Sequence, residues 1–252
     1  MKKIFISGAS SGIGKSMARS YSKKGYIIGL CSRNINKLEL VKEECESLGG
    51  KVFIYQLDVK NSAQCNKVAR QFMKIANGID YVIANAGIGG EDDLFSGKSD
   101  NLNNIMKTNL FGIINIIMPF LPKMKKQKKG KLVCISSVAA FIPTPYHGGY
   151  SGSKIAIKMI FDSWRPSLNK LNIKVITICP GFIDTPMVKG IGRRFPIKSP
   201  DEASEKFLKI IEKNIETFIY PQYYKLIIYF YRLIPNKLYN MLIARIISKP
   251  IS

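Results

Sequence analysis

Tyr150 and Lys154 stand four residues apart where a helix-like run opens, from about Ser151 to Lys170. Positions i and i+4 share one helical face, so this phenol and this ammonium would point the same way. A phenol beside a cation can act as proton donor and acceptor. Ser137 lies thirteen residues earlier, just after a strand-like run, Leu132 to Ser136. The loop between carries His147, the single histidine, which reads as a residue at the mouth of a site rather than as an acid–base group.

Something must hold a reactant against this pair. Residues 2–8 read as a short buried strand, and Gly8, Gly12 and Gly14 follow as G-x-x-x-G-x-G. A helix-like run, Ile13 to about Lys24, comes next. Strand, glycine turn and helix together bring backbone N–H groups and a helix N-terminus up to a phosphate. A second strand, Tyr26 to Cys31, ends at Ser32-Arg33-Asn34. In a dinucleotide-binding fold an acid here would hold the adenosine ribose. Arg33 stands there instead, which favours a 2′-phosphate, hence NADP(H) over NAD(H).

The alternation continues. Ile35 to Leu48 is helix-like, with Lys37 assigned to its solvated side, and Lys51 to Leu57 is a third strand. Asp58-Val59 close it, and Asp58 suits either a cap for the next helix, about Asn61–Ala76, or a contact to an adenine amino group. A fourth strand, Ile79 to Ala84, ends in Asn85-Ala86-Gly87, small enough for a ligand to lie against the backbone. Asn101 to Lys126 reads as one long helix, and Asn109 within it as a core or interface amide. Strands at Ile173 to Cys179 and Thr217 to Tyr220 complete about seven, with a helix from Pro200 between them and Asp201 near its start. Segment 187–199 has no clear period and suits a substrate loop. The pattern predicts one α/β domain over 1–220, a Rossmann-type doubly wound parallel sheet with helices on both faces.

The 252 residues carry a formal net charge of +22. Of 39 basic residues only eight are Arg, which argues against a dedicated nucleic-acid reader. The excess fits Lys-rich solvated helix faces, or attraction to an anionic cofactor and an anionic membrane surface. Five cysteines without C-x-x-C spacing suggest a reducing, cytoplasmic setting and no metal site. No uncharged apolar run reaches 18 residues, so no spanning helix is expected.

With these motifs in order, the chain resembles the short-chain dehydrogenase/reductase family in its compact form, over about residues 3–220. The turn Gly8-Ala9-Ser10-Ser11-Gly12-Ile13-Gly14 matches, with Ser7 where Thr is usual. Asp58-Val59 and Asn85-Ala86-Gly87 match the adenine-side elements, and Pro180, Gly181, Ile183 and Thr185 the nicotinamide-side segment. Asn109, Ser137, Tyr150 and Lys154 match the family's catalytic tetrad. The resemblance implies hydride transfer between a nicotinamide and a small-molecule carbonyl or alcohol. Tyr150 would be the acid, Lys154 would lower its pKa and hold the nicotinamide ribose, Ser137 would hold the carbonyl oxygen, and Asn109 a relay water.

One stretch departs from the family. From Pro221 the chain runs on into an extension, 221–252, of aromatics and aliphatics with five basic residues and no acid. It reads either as an interfacial amphipathic helix or as terminal helices covering the sheet or the substrate cleft. Compact members often end in a tail that builds a tetramer. The extension puts the tetramer in doubt, and a homodimer is expected.

Overall fold

The computed structural model describes residues 1–188, 196–235 and 237–241. Seven strands form one sheet: β1 (Lys3–Ser7), β2 (Ile27–Ser32), β3 (Lys51–Gln56), β4 (Tyr81–Ala84), β5 (Gly130–Ile135), β6 (Ile173–Pro180) and β7 (Thr217–Tyr220). Their order is β3-β2-β1-β4-β5-β6-β7, and every neighbouring pair is parallel. The winding reverses between β1 and β4, the place where such sheets open a crevice for ligands.

Period-two alternation explains why these segments are strands buried on both faces. Ile4, Ile6, Tyr81, Ile83, Val133 and Ile135 enter one core, beneath α1 (Gly12–Ser22), α2 (Ile35–Ser47) and α8 (Pro200–Glu212). Phe5, Val82, Ala84, Leu132 and Cys134 enter the other. That core lies beneath α3 (Ser62–Ala76), α4 (Asp100–Met106), α5 (Gly112–Ile117), α6 (Leu121–Gln127) and α7 (Gly148–Asn169). Phe5, Phe72 and Phe120 anchor it, with ring centroids 5.4 and 5.1 Å from Phe5. Phe72 is fully buried. Phe72→Ala is therefore expected to cost about 3–5 kcal/mol, a loss readable by urea unfolding. A loss under about 1 kcal/mol would contradict this packing.

Helix starts follow their caps. Asn34 Oδ1 accepts from Lys37 N at 2.9 Å, Asn61 Oδ1 from Gln64 N at 2.9 Å, and Ser199 Oγ from Glu202 N at 3.1 Å. Pro200 and the acids Asp201 and Glu202 suit the first turn of α8. Asp58 is thus not the cap of α3; its Oδ1 accepts instead from Lys60 N at 3.0 Å.

The expected helix over Asn101–Lys126 is one 28-residue helical run, Asp100–Gln127, but not a uniform one. A π-helical turn, Lys107–Phe111, interrupts it. By length and composition this run could cross a membrane, although no such helix was expected. Ile105, Ile113, Ile117, Phe120 and Met124 instead bury its inner side in the protein. Beyond β7, α9 (Tyr224–Leu233) buries Tyr224 and Ile228.

Candidate active site

A cavity of about 550 Å³ lies across the C-terminal ends of β1 to β6. Its wall includes Gly8, Ser10, Ser11, Gly12 and Ile13 from the first turn, Arg33, Asp58, Val59, and Asn85, Ala86 and Gly87. Tyr150, Lys154, Pro180, Gly181, Ile183 and Thr185 complete the expected set within it. Gly14, Asn109 and Ser137 are absent from the wall and stand behind it.

The glycines are there because backbone must pass close to backbone. Gly8 has φ +65°, and a Cβ on it would come within 2.8 Å of Ala86 Cα. Gly12 has φ +53°, and a Cβ there would sit 2.8 Å from Thr185 Cγ2. A side chain at either position would strain the turn and fill the cradle. Asn85 fastens this turn to β4: its Nδ2 donates to Ser7 O at 3.1 Å and Gly8 O at 3.0 Å. Ser7 Oγ accepts from Asn85 N at 3.0 Å and Ala86 N at 3.1 Å. A hydroxyl is all this joint uses, so Ser serves where Thr is usual.

Ser11 takes the N-cap position of α1, yet its side chain makes no capping bond. The first N–H groups of α1 therefore face the cavity with the positive end of the helix dipole, which favours an anion. The residues fit a dinucleotide on this ground: a cradle that a Cβ would fill, and an uncapped helix start beside it.

Arg33 is exposed at the end of β2. Among the described residues no ion pair engages it. Lys37, exposed on the solvated side of α2 as expected, also lines the cavity. A signal existed: a cation in the first turn of α2, where the dipole favours an acid.

At the other end, α7 begins at Gly148, three residues before the start expected near Ser151, so Tyr150 sits inside its first turn. His147 occupies the N-cap position and its Nδ1 contacts Pro145 O at 2.8 Å, a loop role as expected. Burial raises the Tyr150 phenol above its ordinary value, and a hydrogen bond with Ser137 opposes that rise. Lys154 Nζ donates to Ile135 O at 2.9 Å and lies 5.6 Å from the Tyr150 ring centroid. Burial lowers this lysine to about 8. Burial thus sets the direction of the phenol's shift, against the lowering expected from Lys154. Desolvation prevails, and the ammonium faces a carbonyl and the ring.

Ser137 Oγ accepts from Ala139 N at 3.1 Å and lies 3.4 Å from Pro180 O. Asn109 is fully buried within the π turn. Its Oδ1 accepts from Ile88 N at 2.8 Å, and its Nδ2 donates to Ile88 O at 2.9 Å and Ser153 Oγ at 3.2 Å. Both amide hydrogens are used, so the Asn109 side chain ties the segment after β4 to α7. Its partners Ile88 and Ser153 had no sequence signal, since their roles depend on the π turn.

Met187 and Val188 line the cavity, while most of the expected substrate loop, with Arg193 and Arg194, lies outside the described residues. The extension reaches the same region. Tyr224 packs where any Cβ on Gly181 would strike its ring, the Arg232 guanidinium sits 6.0 Å from the Phe141 ring centroid, and Tyr239 Oη donates to Pro143 O at 2.9 Å.

The sequence profile described as short chain dehydrogenase matches residues 2–194. A 3-oxoacyl-[acyl-carrier-protein] reductase of Thermotoga maritima is 31% identical over 83% of this chain and 82% of its own. A 3-ketodihydrosphingosine reductase of Bacteroides thetaiotaomicron is 31% identical over 87% and 79%. An 11-beta-hydroxysteroid dehydrogenase-like protein of Arabidopsis thaliana is 36% identical, but the match covers 74% of this chain and only 60% of that protein. Among solved structures, an archaeal alcohol dehydrogenase of Thermococcus sibiricus, complexed with 5-hydroxy-NADP, superposes with a TM-score of 0.78. It is 26% identical and covers 87% of this chain and 94% of its own. Fold, profile and relatives agree: the chain belongs to the short-chain dehydrogenase/reductase family and is an NAD(P)-dependent oxidoreductase.

Proposed function

We propose that the protein reduces a small-molecule carbonyl to an alcohol with NADPH, or runs the reverse oxidation, with Tyr150 as acid and base. The observation that carries this reading is one cavity joining the Gly8–Gly12 turn, Arg33 and Lys37 to Tyr150 and Lys154. The turn and the α1 N-terminus would hold the pyrophosphate, and Arg33 and Lys37 a 2′-phosphate. Asp58, Val59 and Asn85 to Gly87 would bound the adenine side, and Pro180, Gly181, Ile183 and Thr185 the nicotinamide side. Once bound, the nicotinamide supplies the hydride to the carbonyl carbon.

The rest is the work of the protein's own groups. A phenol raised by burial stays protonated near neutrality, the state a donor to the carbonyl oxygen needs. Ser137, hydrogen-bonded to that phenol, would hold the same oxygen. Lys154, cationic below about 8, would stabilise the phenolate left behind. Asn109 positions the backbone around them. The test is NADPH consumption across ketones, aldehydes, β-ketoacyl thioesters and keto-lipids. Equal amounts of alcohol and NADP are expected for at least one, and no consumption by any of them would end the reading.

The lowered Lys154 gives the pH dependence its sign. The cation is present at low pH and is lost as pH rises through about 8 rather than 10.5. kcat/KM for NADPH in reduction should therefore fall above about pH 8, since this parameter reports the free enzyme. Lys154→Arg keeps its charge through that range and should lose the descending limb; an unchanged limb would contradict the assignment.

Three features bear on context. Phe111, Met118, Ile155 and Met159 are exposed at helical spacings on the 100–127 run and α7, and support a homodimer. The relative named for 3-ketodihydrosphingosine supports a second reading of the substrate, a lipid-derived carbonyl. All five cysteines are free and buried, which suits a cytoplasmic protein of one domain, 1–220, plus its extension.

A further inference from the structure

α9 has two apolar faces. Tyr224 and Ile228 are buried against the protein. On the opposite side Leu226, Tyr229, Phe230 and Leu233 are exposed by 63, 59, 61 and 63%. Their spacing of three, four and seven residues puts them in one stripe. A solvent-facing helix would carry polar groups there. Leu238 and Met241 continue the exposed apolar surface in the stretch 237–241.

The charges beside this stripe say what covers it. Lys225, Arg232 and Lys237 are exposed, and residues 221–241 contain no acid. Lys225 and Arg232 flank one side of the stripe. A second copy seated on the same face would bring like charges together and meet only a narrow strip of one ten-residue helix. An anionic bilayer accepts both parts at once: side chains enter the acyl boundary while cations meet lipid headgroups.

We propose that α9 docks the protein on an anionic membrane surface through Leu226, Tyr229, Phe230 and Leu233, with Lys225, Arg232 and Lys237 against the headgroups. The element that docks is also the element that meets the cleft. Tyr224 packs on Gly181, Arg232 on Phe141, and Tyr239 on Pro143. Docking therefore brings the rim of the candidate active site to the bilayer, and an amphiphilic carbonyl can reach it without crossing water. This last consequence rests on the reductase reading.

The test is co-sedimentation of the full chain with vesicles of phosphatidylcholine alone or of equimolar phosphatidylcholine and phosphatidylglycerol. Wild type should pellet with the anionic vesicles and at least about tenfold less with the neutral ones. Leu226→Gln/Phe230→Gln, both on the outer face, should lose at least about tenfold of the anionic binding. Retained NADPH affinity and unchanged turnover of a water-soluble ketone show that this variant is folded, and separate failure of docking from failure of the reductase reading. Equal pelleting of the two proteins, equal pelleting with the two vesicle types, or no pelleting of wild type overturns the proposal. So does a fall in the variant's self-association without a change in vesicle binding, which would make the face an interface between copies.

Discussion

Tyr150→Phe is expected to lower kcat/KM for carbonyl reduction by about 10²–10⁴-fold while NADPH affinity stays within about twofold. The substitution removes one oxygen and leaves the ring at the cavity wall, beside Lys154. Only the proton donor is lost, so the loss should fall on the chemical step. Steady-state rates and a fluorescence titration of NADPH separate the two effects. A variant within about tenfold of wild type would mean that the proton comes from elsewhere.

Arg33→Ala/Lys37→Ala should raise KM for NADPH by about 10–100-fold and leave KM for NADH within about twofold. A charge-assisted bond is worth about 1.5–3 kcal/mol when shielded, and the exposure of both Arg33 and Lys37 brings each share to about 1 kcal/mol. NADH lacks the 2′-phosphate and so has nothing to lose at these positions. Equal losses with the two cofactors would assign Arg33 and Lys37 to general structure or to the pyrophosphate instead.

The sheet was legible because its strands are buried on both faces and short turns separate β1, β2 and β3 from the helices that follow them. Ile4-Phe5-Ile6 and Tyr81-Val82-Ile83 each feed the two cores alternately. The glycine turn was legible because Gly8 and Gly12 adopt positive φ where backbone segments meet. The remainder depended on geometry that residue patterns do not carry. A π turn does not alter the apolar content of Asn101–Lys126, yet it sets Asn109 against Ile88 and Ser153. Asp58 and Asn61 are both good caps, and only the chain path after β3 gives the role to Asn61. Gly148-Gly149 are poor helix formers, so the start of α7 was read late; Asp92 receives Gly149 N at 3.1 Å and holds that turn in place. The direction of the Tyr150 shift was misread because proximity to Lys154 was visible in sequence and desolvation was not.

The central claim is hydride transfer from NADPH to a carbonyl, with Tyr150 supplying the proton. The most direct measurement is single turnover of a reducible ketone with NADPH deuterated at the transferred position, followed by mass spectrometry of the alcohol. The prediction is one deuterium on the carbinol carbon with wild type, and about 10²–10⁴-fold slower formation of the same labelled alcohol with Tyr150→Phe. Protein that binds NADPH yet transfers no deuterium to any ketone would contradict the claim and leave a noncatalytic nucleotide sensor.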